Sequence, residues 1–330
     1  MKIKKLIYFL IFLILITEFL ARTVTYFFNY GFNNKTHFIS PFFTGNDLPV
    51  PVLTDSSGVF NDGKEILFNK LKDEIRIVLI GGSTTKNNRN RENFTISKEL
   101  NNLLIREFPK ITINVLNAGV NEFSSAHSLI NFSLRIINFQ PDFVIINHNA
   151  NDRTANYYGE YVFSDYSNKY LFPYWLGYVH WSGFKGFLIE NTKTFRILYW
   201  SSQKIRDIFN DRRHSIGIKK VKNVNSGKKY FERNITSILT IARINSVIPI
   251  LVTQPHLSLE SYKDHIEYND ILEKIAKKNN TILINLSKSI SNDKENFIDN
   301  IHYSEVGIKK ISKLIFSDLK FLINDLKKKR

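Results

Sequence analysis

From residue 75 onward the chain alternates short apolar runs with longer amphipathic stretches, and that alternation leaves few folds open. Residues 75–80, 113–116, 143–147, 248–253 and 282–286 are near-continuous apolar runs of strand length. Such runs suit strands buried on both faces. Residues 91–108, 125–139, 230–245, 266–278 and a final stretch from about Ser304 carry the helical period instead. Strand and helix in turn predict a central parallel sheet covered on both faces, a three-layer α/β/α sandwich over residues 73–330.

The alternation breaks at residues 154–227, a stretch dense in Tyr, Phe, Trp and Lys with "YLFPYWLGYVHW" at its centre. This aromatic insertion has three open readings: the core of a small extra lobe, the lining of a sugar or acyl groove, or a membrane-surface contact. Residues 30–72 hold several Pro, Gly and Asp with little periodicity and read as a lead-in segment.

Ahead of the lead-in, Lys2, Lys4 and Lys5 precede an almost wholly apolar run from Leu6 to Thr17. No small-x-small cleavage site follows, and the helical pattern continues through Val24 and Phe28, so residues 1–29 read as an uncleaved signal-anchor, a transmembrane helix. Glu18 and Arg22 stand four apart and share a helix face. Positive charge before the segment places the amino terminus in the cytoplasm and the rest of the chain outside it, in a periplasm or at the cell surface.

The 330 residues carry a formal charge of +16. Their lysines are scattered over the expected helix faces instead of forming one stripe, which argues against a nucleic-acid partner and leaves an anionic membrane surface or polymer open. The chain has no cysteine, so disulfides, thiolate metal sites and a cysteine nucleophile are excluded. His127 and His148 lack a third ligand at suitable spacing, so neither a metal nor another cofactor is expected.

"RIVLIGGSTTKNN" stops an apolar run on Gly81, Gly82 and Ser83. It fits neither the Walker nor the dinucleotide glycine spacing, leaving a plain strand-to-helix turn or a nucleophilic serine. Three later stretches favour the serine. "LNAGVNEFSS" puts Gly119 after the second strand, "INHNANDR" puts Asn151 and Asp152 after the third, and "FIDNIHYSEVG" puts Asp299 and His302 just before the last helix. All fall at the carboxyl edge of the expected sheet, where open α/β sheets bind ligands.

In these four blocks the chain resembles the SGNH hydrolases, also called GDSL-like esterases and lipases, from about Ile75 to the final helix. The resemblance implies Ser83, Asp299 and His302 as catalytic residues and Ser83, Gly119 and Asn151 as the oxyanion hole. Two blocks depart from the family pattern: Gly-Asp-Ser is Gly81-Gly82-Ser83 here, and Gly-x-Asn-Asp is Asn149-Ala150-Asn151-Asp152.

The residue types suit ester chemistry. His302 can take the proton of Ser83 while Asp299 holds its tautomer, and Gly119, lacking Cβ, lets backbone approach closely. Asp152 is expected to be a loop hydrogen-bonding residue, Pro255 a turn, and Gln254 a substrate contact. The implied activity is an extracytoplasmic, membrane-anchored serine esterase acting on an acylated glycan or small ester, with acetyl the foremost acyl group. O-acyl transfer through the same serine and a non-catalytic glycan-binding or assembly role are the alternatives.

Overall fold

The structure, a computed structural model, describes residues 2–27, 59–60, 66–87, 94–157, 162–166, 188, 191–195, 197–198, 201–202, 225–258 and 263–329. Most of the aromatic insertion and the lead-in as far as residue 58 lie outside them. By compactness the chain divides into two units. One contains Met1–Phe38, Asp47–Val50 and Tyr170–Lys219, and the other contains Ile39–Asn46, Pro51–Lys169 and Lys220–Arg330.

In the first unit, helix α1 (Lys2–Phe27) is apolar from Lys4 to Val24, a stretch long enough to cross a membrane. In the second, five strands, β1 (Glu74–Gly81), β2 (Thr112–Gly119), β3 (Phe143–Asn147), β4 (Ile248–Val252) and β5 (Ile282–Ile284), form one sheet in the order β2-β1-β3-β4-β5. Every pairing is parallel. The chain leaves β1 to one side for β2 and crosses to the other side for β3, so the carboxyl end of β1 is the switch point where doubly wound sheets bind ligands.

Side-chain alternation along buried strands makes two cores. Ile75, Ile77 and Leu79 of β1 join a cluster with Ile96, Leu100 and Leu104 of α3 (Ile96–Glu107) and the stripe Ile308, Ile311, Ile315, Leu319 and Ile323 of α9 (Glu305–Lys329). Val78 and Ile80 face the other way, toward Phe132 of α4 (Ser125–Leu134), Phe231, Ile235 and Leu239 of α6 (Asn225–Ile244), and Leu272 and Ile275 of α7 (Lys263–Lys278). The α/β/α layering expected from the alternation is the one observed.

Boundaries move for local reasons. Helix α3 starts at Ile96 because Thr95 caps it, accepting from the N–H of Lys98 at 3.2 Å. The expected helix over 125–139 breaks at Arg135 and resumes as a 3₁₀ turn, Ile136–Phe139. Helix α6 opens at Asn225, inside the stretch assigned to the insertion, and a single turn, α8 (Leu286–Ser289), follows β5.

At the amino edge of the sheet a buried polar group ties down the end of the lead-in. Arg76, 2% exposed, donates to Glu74 at 2.6 and 2.9 Å and to the Phe139 carbonyl at 2.8 Å, and reaches the Phe68 carbonyl at 3.3 Å. Asn114 also donates to Glu74, and Asp142 accepts from the N–H of Arg76 and from Lys70.

Candidate active site

Strand β1 ends on Gly81, and one helical turn, α2 (Ser83–Lys86), follows at once with Gly82 as its extended N-cap. The turn is closed by bonds from the N–H groups of Thr85 and Lys86 to the Gly82 carbonyl and from Asn87, left-handed at φ 48°, to the Ser83 carbonyl. Only a residue without Cβ fits before it: at Gly81 a Cβ would stand 2.1 Å from Thr85 Oγ1 and 2.4 Å from the Asn147 carbonyl. Ser83 is thereby held at the first helical position, where a backbone N–H has no acceptor within the helix.

The acid–base pair comes from the loop before α9. An antiparallel bridge between Phe297 and Tyr303, with the N–H of Ile298 donating to the His302 carbonyl at 2.8 Å, pinches residues 298–302 into a tight turn. Within it Asp299 Oδ1 accepts from the N–H groups of Ile301 and His302 at 3.0 and 2.8 Å. His302 Nδ1 lies 2.7 Å from Asp299 Oδ2, and His302 Nε2 lies 2.8 Å from Ser83 Oγ. This turn answers how two residues only three apart can both serve one serine. With Nδ1–H directed to the carboxylate, Nε2 presents its lone pair to the hydroxyl. Burial acts to raise the Asp299 carboxyl, but the two N–H groups and the imidazole outweigh it and hold the carboxyl below its ordinary value.

Asn151 lies on α5 (Ala150–Thr154), just beyond β3. Its Nδ2 donates to the Phe123 carbonyl at 3.0 Å and packs against Gly82, where a Cβ would come within 2.3 Å of it. An amide nitrogen carries two hydrogens, so the Phe123 bond uses one of them. The departure from Gly-Asp-Ser therefore has a steric basis: the space beside Gly82 belongs to the Asn151 amide.

Gly119, expected in the oxyanion hole, is the last residue of β2. Its N–H donates to Asn117 Oδ1 at 3.0 Å, and a Cβ there would meet the Lys86 nitrogen at 2.5 Å. The glycine is required by the packing of α2 on β2. The part of this loop that reaches Gly82 and Asn151 is Phe123, four residues on, following Glu122 in the left-handed region at φ 65°.

Gln254, expected as a substrate contact, lies just beyond β4. It is 2% exposed; Oε1 accepts from the Ala150 N–H at 3.0 Å, and Nε2 donates to Thr84 Oγ1 at 2.7 Å. Its main chain is held by Asn269 and His265. A side chain engaged at both ends braces α2 against α5.

Asp152 is fully buried and accepts from the N–H and hydroxyl of Ser125, with His148 Nδ1 at 3.5 Å. His127 closes a capping box with Ser124 and stacks on Phe123. Between α2 and α5 lies a polar recess of about 10 Å³, lined in part by Ser83, His148, Asn149, Asn151 and Gln254. Asn117, Thr84 and Gln254 as a brace were missed in the sequence; Asn117 gave a signal, as one of two amides in an otherwise largely apolar strand.

Fold and geometry together define a doubly wound α/β protein with a hydrogen-bonded Asp–His–Ser chain at the carboxyl edge of its sheet. The sequence matches no known family profile and no curated protein. Solved structures similar to it include an acetylxylan esterase from Geobacillus stearothermophilus (14% identity, covering 75% of this chain and 95% of that one, TM-score 0.46). Others are a GDSL-like lipase from Bacteroides thetaiotaomicron (15%, 77% and 91%, 0.45) and an α/β hydrolase enzyme from the metagenome of Lake Arreo, Spain (13%, 76% and 96%, 0.46). Likeness at this level leaves the chemistry to be read from the site's own geometry.

Proposed function

We propose that the protein is a serine esterase, held by α1 in a membrane with its site outside the cytoplasm, that removes a small acyl group from a glycan or another cell-envelope molecule. The observation that carries this reading is the unbroken chain from Asp299 through both ring nitrogens of His302 to Ser83 Oγ, set beside the Asn151 amide.

Ser83 Oγ attacks the ester carbonyl carbon as His302 Nε2 takes its proton, and Asp299 stabilises the imidazolium without itself becoming protonated. The negative charge that develops on the carbonyl oxygen is met by the Ser83 N–H and the Asn151 amide. His302 then returns the proton to the leaving alcohol oxygen, giving an acyl-Ser83. Water, deprotonated by His302, attacks that acyl carbon, and Ser83 leaves with the proton as the free acid departs.

The polar lining beside Ser83 suits a small, oxygen-rich substrate better than a fatty chain, which favours acetyl. Lys2, Lys4 and Lys5 at the amino end of α1 favour the orientation.

The test is Ser83→Ala against the full-length protein, with p-nitrophenyl acetate and acetylated glycans as substrates and fluorophosphonate as the label. Loss of both hydrolysis and labelling in a folded variant is the expected result; labelling retained on another serine would reject Ser83. Acyl appearing on an added sugar instead of as free acid would move the reading to transfer through the same acyl-Ser83.

A further inference from the structure

The unit that contains α1 also contains Tyr170–Lys219, the middle of the aromatic insertion. What joins them among the described residues is a charged group in an unusual place. Glu18 lies inside the apolar stretch Lys4–Val24, about 9 Å short of Val24 by helical rise. A carboxylate at that depth in hydrocarbon is strongly unfavourable unless its oxygens are bonded.

Here they are. Oε1 accepts from Arg22 Nε at 2.8 Å and from the N–H of Lys193 at 2.9 Å, and Oε2 accepts from the N–H of Thr194 at 2.9 Å. Arg22 also reaches the Asn191 carbonyl at 3.4 Å. The requirement is mutual, because main-chain N–H groups at membrane depth must likewise find acceptors. On the same short stretch Phe195 and Leu198 are 45% and 60% exposed, which water disfavours and a lipid surface accepts.

We infer that residues 191–195 and 197–198 belong to a second membrane-contacting element, docked on α1 at Glu18 and set by Phe195 and Leu198 into the outer headgroup layer of a lipid bilayer. The depth agrees: interfacial helices bury their apolar side about 5–10 Å into the headgroup and acyl boundary. The inference rests on α1 being a membrane span, and it gives the insertion a role: it binds lipid beside the anchor.

The chain has 3 Trp, at Trp175, Trp181 and Trp200, all within the insertion, so its tryptophan emission reports on that segment. The experiment reconstitutes the full-length protein in phosphatidylcholine liposomes brominated either near the headgroup or near the chain ends. Stronger quenching by the shallow bromine is expected. Glu18→Leu should lose it while resisting alkaline washing and hydrolysing p-nitrophenyl acetate as before; Glu18→Gln, which keeps an acceptor, should retain more of it. A double variant, Phe195→Ser with Leu198→Ser, should weaken it without touching Glu18. Absence of shallow quenching, or equal quenching in Glu18→Leu, overturns the docking even if esterase activity is intact. Release of the wild-type chain by alkali overturns the span and the docking together, and neither result depends on Ser83.

Discussion

Gly82 and Asn151 share one space: a Cβ on Gly82 would stand 2.3 Å from Asn151 Nδ2. Gly82→Ala must displace the amide, the end of a side chain that can move, so the fold should survive. Losing a transition-state donor lowers turnover by about 10²–10³. The expected outcome is that loss on p-nitrophenyl acetate with fluorophosphonate labelling of Ser83 preserved; full turnover would show that the amide's position is immaterial.

Gln254 braces Thr84 to Ala150, so it acts by positioning α2 and α5. Gln254→Leu leaves the buried Ala150 N–H without its acceptor, a loss of about 1–3 kcal/mol in stability. Turnover should fall with KM little changed, and Gln254→Glu, which keeps the acceptor, should recover part of it. A rise in KM at constant kcat would instead make Gln254 a substrate contact.

Stability should fall in mild acid. Burial, with Arg153 adding to it, lowers His256 from 6.5 to about 4, and burial lowers His265 from 6.5 to about 3. Folded values below the unfolded one mean that the unfolded chain binds more protons in between, so this stability is whole above pH 6.5 and drains away as pH falls toward those values. Asp299, lowered from 3.8, acts only below this window. Melting temperature should decrease from pH 7 to pH 5 in wild type and decrease less in the double variant His256→Gln, His265→Gln; parallel curves would contradict the assignment.

Arg76 should matter to stability alone. Arg76→Leu strands buried Glu74, and breaking a buried pair by removing one partner costs about 3–5 kcal/mol. Thermal melting should drop well below wild type while kcat and KM, measured at a temperature where the variant is folded, stay within about twofold, since the network lies at the opposite edge of the sheet from Ser83. A specific loss of kcat would tie that edge to the chemistry.

The layering was legible because strands buried on both faces leave long apolar runs, and the meeting of Ser83 with His302 and Asp299 was legible because Ser83 follows such a run and the other two precede the last helix. At Gly119 and Gln254 the sequence is silent on a shared point. Residue type and edge position say that a group is near the site, but not whether another side chain has already engaged it. Asn117 claims the Gly119 N–H from two residues away, and Thr84 meets Gln254 across 170 positions. The helix start at Ile96 shifted for a local reason, capping by Thr95, that periodicity does not register.

Ser83 and His302 are 219 positions apart, and the turn holding Asp299 and His302 is the last structure before α9. During synthesis the serine therefore leaves the ribosome long before its hydrogen-bond partner. The hydroxyl has no imidazole to meet until the turn of Asp299 and His302 has been made, and by then all five strands of the sheet have been translated.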